Sequence, residues 1–322
     1  MPATPPACWT LTDGAAGNVR QAEALARALD LPATARTVHI AAPWDWFAPR
    51  RLPGALGAIR DAGNHPLVPP WPAIAIGCGR RAALASRLVR ERSEGTSFVV
   101  QILDPRIDPR TYDLVIAPAH DALRGGNVLP VLGSLNPVDD AWLAAGREAF
   151  PSLAALPAPR TVVLIGGSTR AQRIDARYAA GLLERLRALH ADTGGSFLVS
   201  VSRRTPPALT EAFRRAFATL PGTFRGDLGD GPNPYAGFLG WGDRIVATPD
   251  SVNMLSEACA VGVPVFTHAP TPVRGKLAAF HEALRETGHL LELGEPAPAT
   301  RPPPLRETAR IAALVRERMA ER

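Results

Sequence analysis

Asp243-Arg-Ile-Val-Ala-Thr-Pro-Asp-Ser-Val-Asn-Met-Leu-Ser-Glu-Ala-Cys-Ala-Val-Gly-Val-Pro-Val-Phe266 reads as a short buried strand, a polar turn, a helix and a second strand. Ile245 to Ala247 form the strand, and Thr248-Pro-Asp-Ser251 the turn. Asp250 or Ser251 caps a helix whose apolar positions Met254, Leu255, Ala258 and Cys259 follow helical spacing, and Gly262 stops it. A helix that opens at the carboxyl end of a strand presents unpaired N–H groups and the positive end of its dipole. A phosphate or diphosphate is the natural occupant of such a place. Glu257, two turns in, is positioned to accept hydrogen bonds from a ribose.

Outward from this unit, strand and helix keep alternating. On the amino-terminal side we expect strands at 8–11, 37–40, 73–77, 97–103 and 114–117, with helices over 18–29 and 80–92. Pro151-Ser-Leu-Ala-Ala-Leu-Pro-Ala-Pro159 reads as an interdomain linker. A second cycle follows, with strands at 161–168 and 196–200 and helices over 176–191 and 207–220. Such alternation predicts an α/β protein of two doubly wound, Rossmann-like domains facing a cleft in which ligands sit. We expect an N-terminal domain over 1–150 and a C-terminal domain over 160–300. A last helix, within 301–322, is expected to pack back on the first domain.

The chain of 322 residues is 46% hydrophobic and 20% charged, enough for two cored domains. Its net charge of +6 comes almost wholly from arginine, Lys276 being the single lysine. That bias looks like GC-rich coding, and the aromatics, 6% of residues, are not interleaved with arginine, so nucleic acid is not the expected partner. Arginine does suit a phosphorylated small molecule or an anionic membrane surface. Trp44, Trp46 and Phe47 beside Arg50 and Arg51 would permit peripheral membrane contact. The plainer reading, which we adopt as the expectation, packs these rings under a long loop. Cys8, Cys78 and Cys259 are widely spaced and read as small core residues in a reducing compartment. Residues 1–6 lack the regions of a secretory signal, and a strand beginning near Ala7 leaves no room for a presequence. The expected location is cytoplasmic, with the inner face of the cytoplasmic membrane as the place for any peripheral contact.

The candidate chemistry lies at strand carboxyl ends. Leu11-Thr-Asp-Gly-Ala-Ala-Gly-Asn18 makes Asp13, Gly14, Gly17 and Asn18 a ligand-facing loop. Arg80 or Arg81 can grip an anion after the 73–77 strand. His120 beside Asp121 can act as a general base, with Asp13 and Asp104 as rivals, and the three are not ranked. No histidine spacing suits a metal, so none is expected. In the second half Gly167 and Ser168 allow a phosphate to approach closely, and Ser202, Arg203, Arg204 and Thr205 form a dense group of donors. One of the two arginines can bind a diphosphate and offset leaving-group charge. Asn233-Pro-Tyr235 can close over a base or sugar.

With these motifs the chain resembles the ELM family, named for mitochondrial fission. The resemblance runs through nearly the whole chain. It is carried by Trp9-Thr-Leu-Thr-Asp-Gly14 with Gly17, Asn18 and Gln21, by Asp104-Pro-Arg106, Pro118-Ala-His-Asp121 and Gly166-Gly-Ser168, and by Ser202-Arg-Arg-Thr-Pro206, Asn233-Pro-Tyr235 and Asp250-Ser-Val-Asn-Met-Leu-Ser-Glu-Ala258. The family looks like the GT-B glycosyltransferases, and 251–264 is similar to the donor-binding helix of the UDP-sugar transferases of peptidoglycan synthesis. The resemblance implies a nucleotide-sugar donor in the C-terminal domain, an acceptor in the N-terminal one, and no obligatory metal or cofactor. It places the diphosphate against Ser168, Arg203, Arg204 and the N–H groups of Ser251, Val252 and Asn253, with Glu257 on the ribose. The acceptor then faces Asp13, Gly14, Asn18 and His120. The rival expectations are a non-catalytic scaffold or membrane-associated adaptor, and a sugar-nucleotide epimerase. Nothing in the chain resembles a fission GTPase.

Overall fold

The computed structural model describes residues 7–226 and 231–322, so the reading of residues 1–6 lies outside the described residues. Two units emerge, Met1–Pro137 with Glu307–Arg322, and Val138–Arg306. The boundary thus falls upstream of the proline-rich stretch at 151–159, whose first part is a 3-10 turn of the second unit, Pro151–Ala155.

The first unit runs β1 (Cys8–Thr12), α1 (Ala16–Ala28), β2 (Ala33–Thr37), β3 (His39–Ile40), α2 (Trp44–Phe47), β4 (Ile59–Arg60), β5 (Ile74–Cys78), α3 (Arg80–Arg92), β6 (Phe98–Ile102), β7 (Leu114–Pro118) and β8 (Val128–Val131). Six strands form a parallel sheet in the order β2-β1-β5-β6-β7-β8, and β3 pairs with β4 as a separate antiparallel ribbon. The central strands β1, β5, β6 and β7 are buried throughout because helices or loops cover both faces, and they are largely apolar, as in β5, Ile-Ala-Ile-Gly-Cys. The strand expected at 37–40 divides instead. Thr37 ends β2, an edge strand exposed along most of its length, and His39 begins β3. Ala-Thr-Ala-Arg-Thr buries no face completely, so it lacks the alternation that marks a half-buried strand.

The second unit runs α4 (Asp140–Ala149), β9 (Arg160–Ile165), α5 (Ala176–Thr193), β10 (Ser196–Val201), α6 (Pro207–Phe217), β11 (Gly222–Arg225), α7 (Tyr235–Trp241), β12 (Arg244–Ala247), α8 (Val252–Val261), β13 (Val265–Thr267), α9 (Lys276–Glu286) and β14 (Leu291–Glu292). Its sheet is also parallel, in the order β11-β10-β9-β12-β13-β14. Val163, Ile165, Val199 and Val246 meet Leu182, Leu186 and Phe213 from the helices in one core. Gly262 ends α8 with φ 92°, a left-handed conformation that an L side chain rarely adopts. Cysteines 8, 78 and 259 are free and buried, and burial pushes the Cys8 and Cys259 thiols up to about 12 and raises Cys78 as well. None is a thiolate near neutrality.

The last helix, α10 (Thr308–Ala320), packs on α1 of the first unit, where Ile311, Ala312 and Val315 join Ala22, Leu25 and Leu29. Glu307 secures its start by accepting hydrogen bonds from the Leu132 and Gly133 N–H groups, at 2.8 and 3.1 Å.

Candidate functional site

In the second unit the chain leaves β9 toward β10 and β11, then crosses to β12 on the other side, so the strand order reverses beside β9. Ligands of doubly wound sheets bind at such a switch point, outside the strands' carboxyl ends. Here Gly166 and Gly167 after β9 meet Thr248-Pro-Asp-Ser251 after β12. The Asp250 carboxylate fills the junction. It accepts the Gly167 N–H at 3.1 Å, the Thr248 hydroxyl at 2.6 Å and the Arg204 guanidinium at 3.1 Å. A Cβ on Gly166 would run into that carboxylate, so only glycine fits. The side chain of Asp250 is wholly buried, and burial raises its pKa against the pull of Thr248, Arg204 and Gly167.

Several expected phosphate donors are therefore committed to the protein itself. The Gly167 N–H is taken by Asp250. The Ser168 hydroxyl bridges the N–H and carbonyl of Ile174, at 2.9 and 3.0 Å. Ser202 accepts from the Arg204 N–H, and Thr205, 7% exposed, donates to the Gly166 carbonyl at 2.7 Å. Of the two capping candidates it is Ser251 that caps α8, accepting from the Met254 N–H, while Asp250 turns inward. What faces outward is narrower than the sequence suggested. Arg203 is exposed and pairs with no acid among the described residues, and Arg204 is half exposed beyond its anchor. The first-turn N–H groups of Val252 and Asn253 precede any carbonyl that an α-helix could offer them.

Glu257 lies on the buried side of α8, 3% exposed, and accepts the Tyr235 hydroxyl at 2.5 Å. Tyr235 opens α7, and its own N–H goes to the Asn233 side chain. The sequence reading placed Asn233 and Tyr235 near a ligand without the phenol-to-carboxylate bond, which spans 22 residues and leaves no local signal. It also missed His281 of α9. Its Nε2 lies 2.9 Å from the Pro249 carbonyl, and because a carbonyl only accepts, that nitrogen carries the proton. Burial lowers the His281 pKa to about 4, so the ring is neutral and holds the turn before α8.

In the first unit the expected loop residues cluster in part. Asp13 accepts the Ala15 N–H at 3.1 Å and the Asn18 amide at 2.9 Å, and Asn18 reaches the Cys78 thiol at 3.6 Å. Gly14 has φ 79°, while Gly17 lies within α1, where its carbonyl accepts from Gln21. The β1 and β5 loops are thus joined through Asn18. Asp104 folds onto the Arg106 N–H at 2.7 Å. His120 and Asp121 share a 3-10 turn after β7, with Nε2 and Oδ1 4.0 Å apart and both side chains largely buried. Three strand spacings separate the ends of β1 and β7, about 14 Å. Asp104 and His120, by contrast, follow adjacent strands. Neither Arg80 nor Arg81 is left open to an anion, because both guanidinium groups grip Asp45 of α2 at 2.8 to 3.1 Å. Among the described residues no group of three or more His, Cys, Asp or Glu could hold a metal ion.

Set beside known proteins, residues 16–319 match the family model described as Mitochondrial fission ELM1. The chain is 32% identical over 278 residues to mitochondrial fission protein ELM1 of Arabidopsis thaliana, covering 78% of this chain and 65% of that one. It therefore spans less than two thirds of that relative's length. An uncharacterized protein of Rickettsia prowazekii is 25% identical over 306 residues, covering 81% and 83% of the two chains. In fold, the UDP-GlcNAc 2-epimerase of Methanocaldococcus jannaschii superposes with a TM-score of 0.55 at 14% identity, over 97% of this chain and 99% of that one. Its complex with UDP-GlcNAc and UDP gives 0.52 at 13%, over 97% and 99%. At such identities the likeness is one of fold, an α/β chain with two Rossmann-like parallel sheets.

Proposed function

The chain belongs to the mitochondrial fission ELM1 family, and we propose that its second unit binds the diphosphate of a nucleotide-sugar for transfer of the sugar to an acceptor, without a catalytic metal. The observation that carries this reading is the β9/β12 switch point. There one arginine, Arg204, is fixed by a buried carboxylate, and the residue before it, Arg203, is exposed and pairs with no acid among the described residues. Arg203 and the Val252 and Asn253 N–H groups supply charge and directed donors to a diphosphate. Transfer breaks the bond from the sugar's anomeric carbon to the diphosphate oxygen, which keeps the electron pair, and Arg203 and Arg204 offset the charge that develops there. Glu257, steadied by Tyr235, is the proposed ribose contact. In the first unit a base removes the acceptor hydroxyl's proton. Asp104 and His120 are better placed than Asp13 to act on one hydroxyl together, because they follow neighbouring strands.

A second reading, nucleotide-sugar epimerisation, is favoured by the epimerase named among the fold neighbours. It requires an acid and a base on opposite faces of one sugar. A third, a scaffold without chemistry, is favoured by the role in the plant relative's name. Calorimetric titration with nucleoside diphosphates and nucleotide-sugars, followed by product analysis, separates the three. Saturable binding with acceptor-dependent release of nucleoside diphosphate supports transfer. Conversion of one nucleotide-sugar into another without acceptor moves the reading to epimerisation. No binding at millimolar nucleotide leaves the scaffold.

A further inference from the structure

Among the described residues the large apolar side chains left exposed are Trp46, Phe47 and Val68, and the first two are neighbours on α2. This corrects the expectation that the rings at 44–47 pack under a loop. Trp44 does so, lying against the first unit's core and donating its Nε1–H to the Pro53 carbonyl at 2.8 Å. Trp46 is 75% exposed and Phe47 47%.

The four-residue helix that presents them is firmly held from beneath. Arg80 donates to the Asp45 and Ala48 carbonyls as well as to the Asp45 carboxylate, and Arg81 grips the same carboxylate with two nitrogens. These bonds, Arg81 foremost, hold the Asp45 carboxyl below the usual carboxylate range. Charge around the helix is one-sided. Arg50 and Arg51 follow it, Arg51 shares Glu91 with Arg87, and Arg80 and Arg81 share Asp45. Five arginines thus stand with two carboxylates, a local excess of cations around two outward rings.

We propose that α2 is a peripheral docking point for an anionic lipid surface, with Trp46 and Phe47 entering the headgroup boundary and Arg50 and its neighbours facing lipid phosphates. Size and charge select this occupant. Two aromatic side chains offer roughly 150–250 Å² each, well short of the ~800 Å² that each partner contributes to a stable protein interface. Interfacial insertion needs no such area, since aromatic rings settle at headgroup level and basic residues add attraction to acidic lipid. Among the described residues no helix is long and apolar enough to cross a membrane, so the contact proposed is one of surface.

Co-flotation of the full chain with vesicles of phosphatidylcholine alone, and of phosphatidylcholine with phosphatidylglycerol, tests this. The wild type is expected to float with the anionic vesicles. W46S/F47S should weaken that binding on the order of tenfold, as the loss of about 1.4 kcal/mol of apolar burial would. Arg50→Gln should weaken it about fivefold on anionic vesicles alone. Both rings are exposed, so the double variant should keep the wild-type thermal midpoint. Absence of flotation, or equal flotation of wild type and W46S/F47S, overturns the proposal. So does a wild type that is dimeric by sedimentation where W46S/F47S is monomeric, because a second copy would then be the occupant.

Discussion

Both units set an Arg-Arg pair directly after a parallel strand, yet the two pairs are used in opposite ways. In the first unit Arg80 and Arg81 converge on one carboxylate, Asp45, and strap a short helix to the sheet. In the second unit only Arg204 is tied down, to the buried Asp250, and Arg203 faces solvent. Cys78-Gly-Arg-Arg81 and Ser202-Arg-Arg-Thr205 look alike as sequence. What separates them is the presence of a carboxylate that can reach both arginines, and neither Asp45 nor Asp250 is near its arginine in the chain. An arginine pair after a strand is a candidate anion site only once its own acids have been counted.

The largest test of the contrast is removal of the buried carboxylate of the second unit. Asp250→Ala leaves the Gly167 N–H and the Thr248 hydroxyl without their buried acceptor and frees Arg204, so a loss of about 3–5 kcal/mol is expected in urea unfolding. Next comes the pH response of His281. An unfolded histidine takes up its proton as pH falls through about 6.5, while folded His281 does so only near 4. Between those values the unfolded chain binds more protons, so stability falls as pH drops from about 6.5 to about 4, by about 3 kcal/mol in all. His281→Gln should remove that part of the acid limb. A smaller effect is expected in binding. Arg203→Ala should weaken nucleoside diphosphate affinity by about 1.5–3 kcal/mol, whereas Arg80→Ala should leave it unchanged, and equal losses by calorimetry would erase the distinction drawn between the pairs. Smallest is Asp45→Asn, whose partly solvated ion pairs are worth about 1 kcal/mol or less.

Legibility in the sequence followed burial. The central strands and the helices α3 and α8 declare themselves by apolar runs and spacing, and Gly262 stops α8 where a left-handed cap is required. The elements at the sheet edges, β2, β8, β11 and β14, are short and partly exposed, so neither a run nor an alternation marks them. The unit boundary at Pro137 carries no compositional mark. What assigns α4 to the second unit is its contact with α7, where Gly146 lies so close to Ala236 that a side chain there would meet backbone. That pairing spans some ninety residues and cannot be read locally. The same holds at the candidate site. Polar residues at strand ends were visible, but which of them the protein spends on itself depends on bonds such as Tyr235 to Glu257 and Arg204 to Asp250, between positions far apart in the chain.

The anchoring of α10 on α1 also sets an order of events during synthesis. Everything in the second unit leaves the ribosome before Ile311, Ala312 and Val315 do. Through that interval the first unit has its sheet and α1 but not the helix that covers Leu25 and Ala22. A nascent chain therefore carries an uncovered apolar face on its first unit while its second unit can already close, and α10, emerging after the second unit, completes the unit made before it.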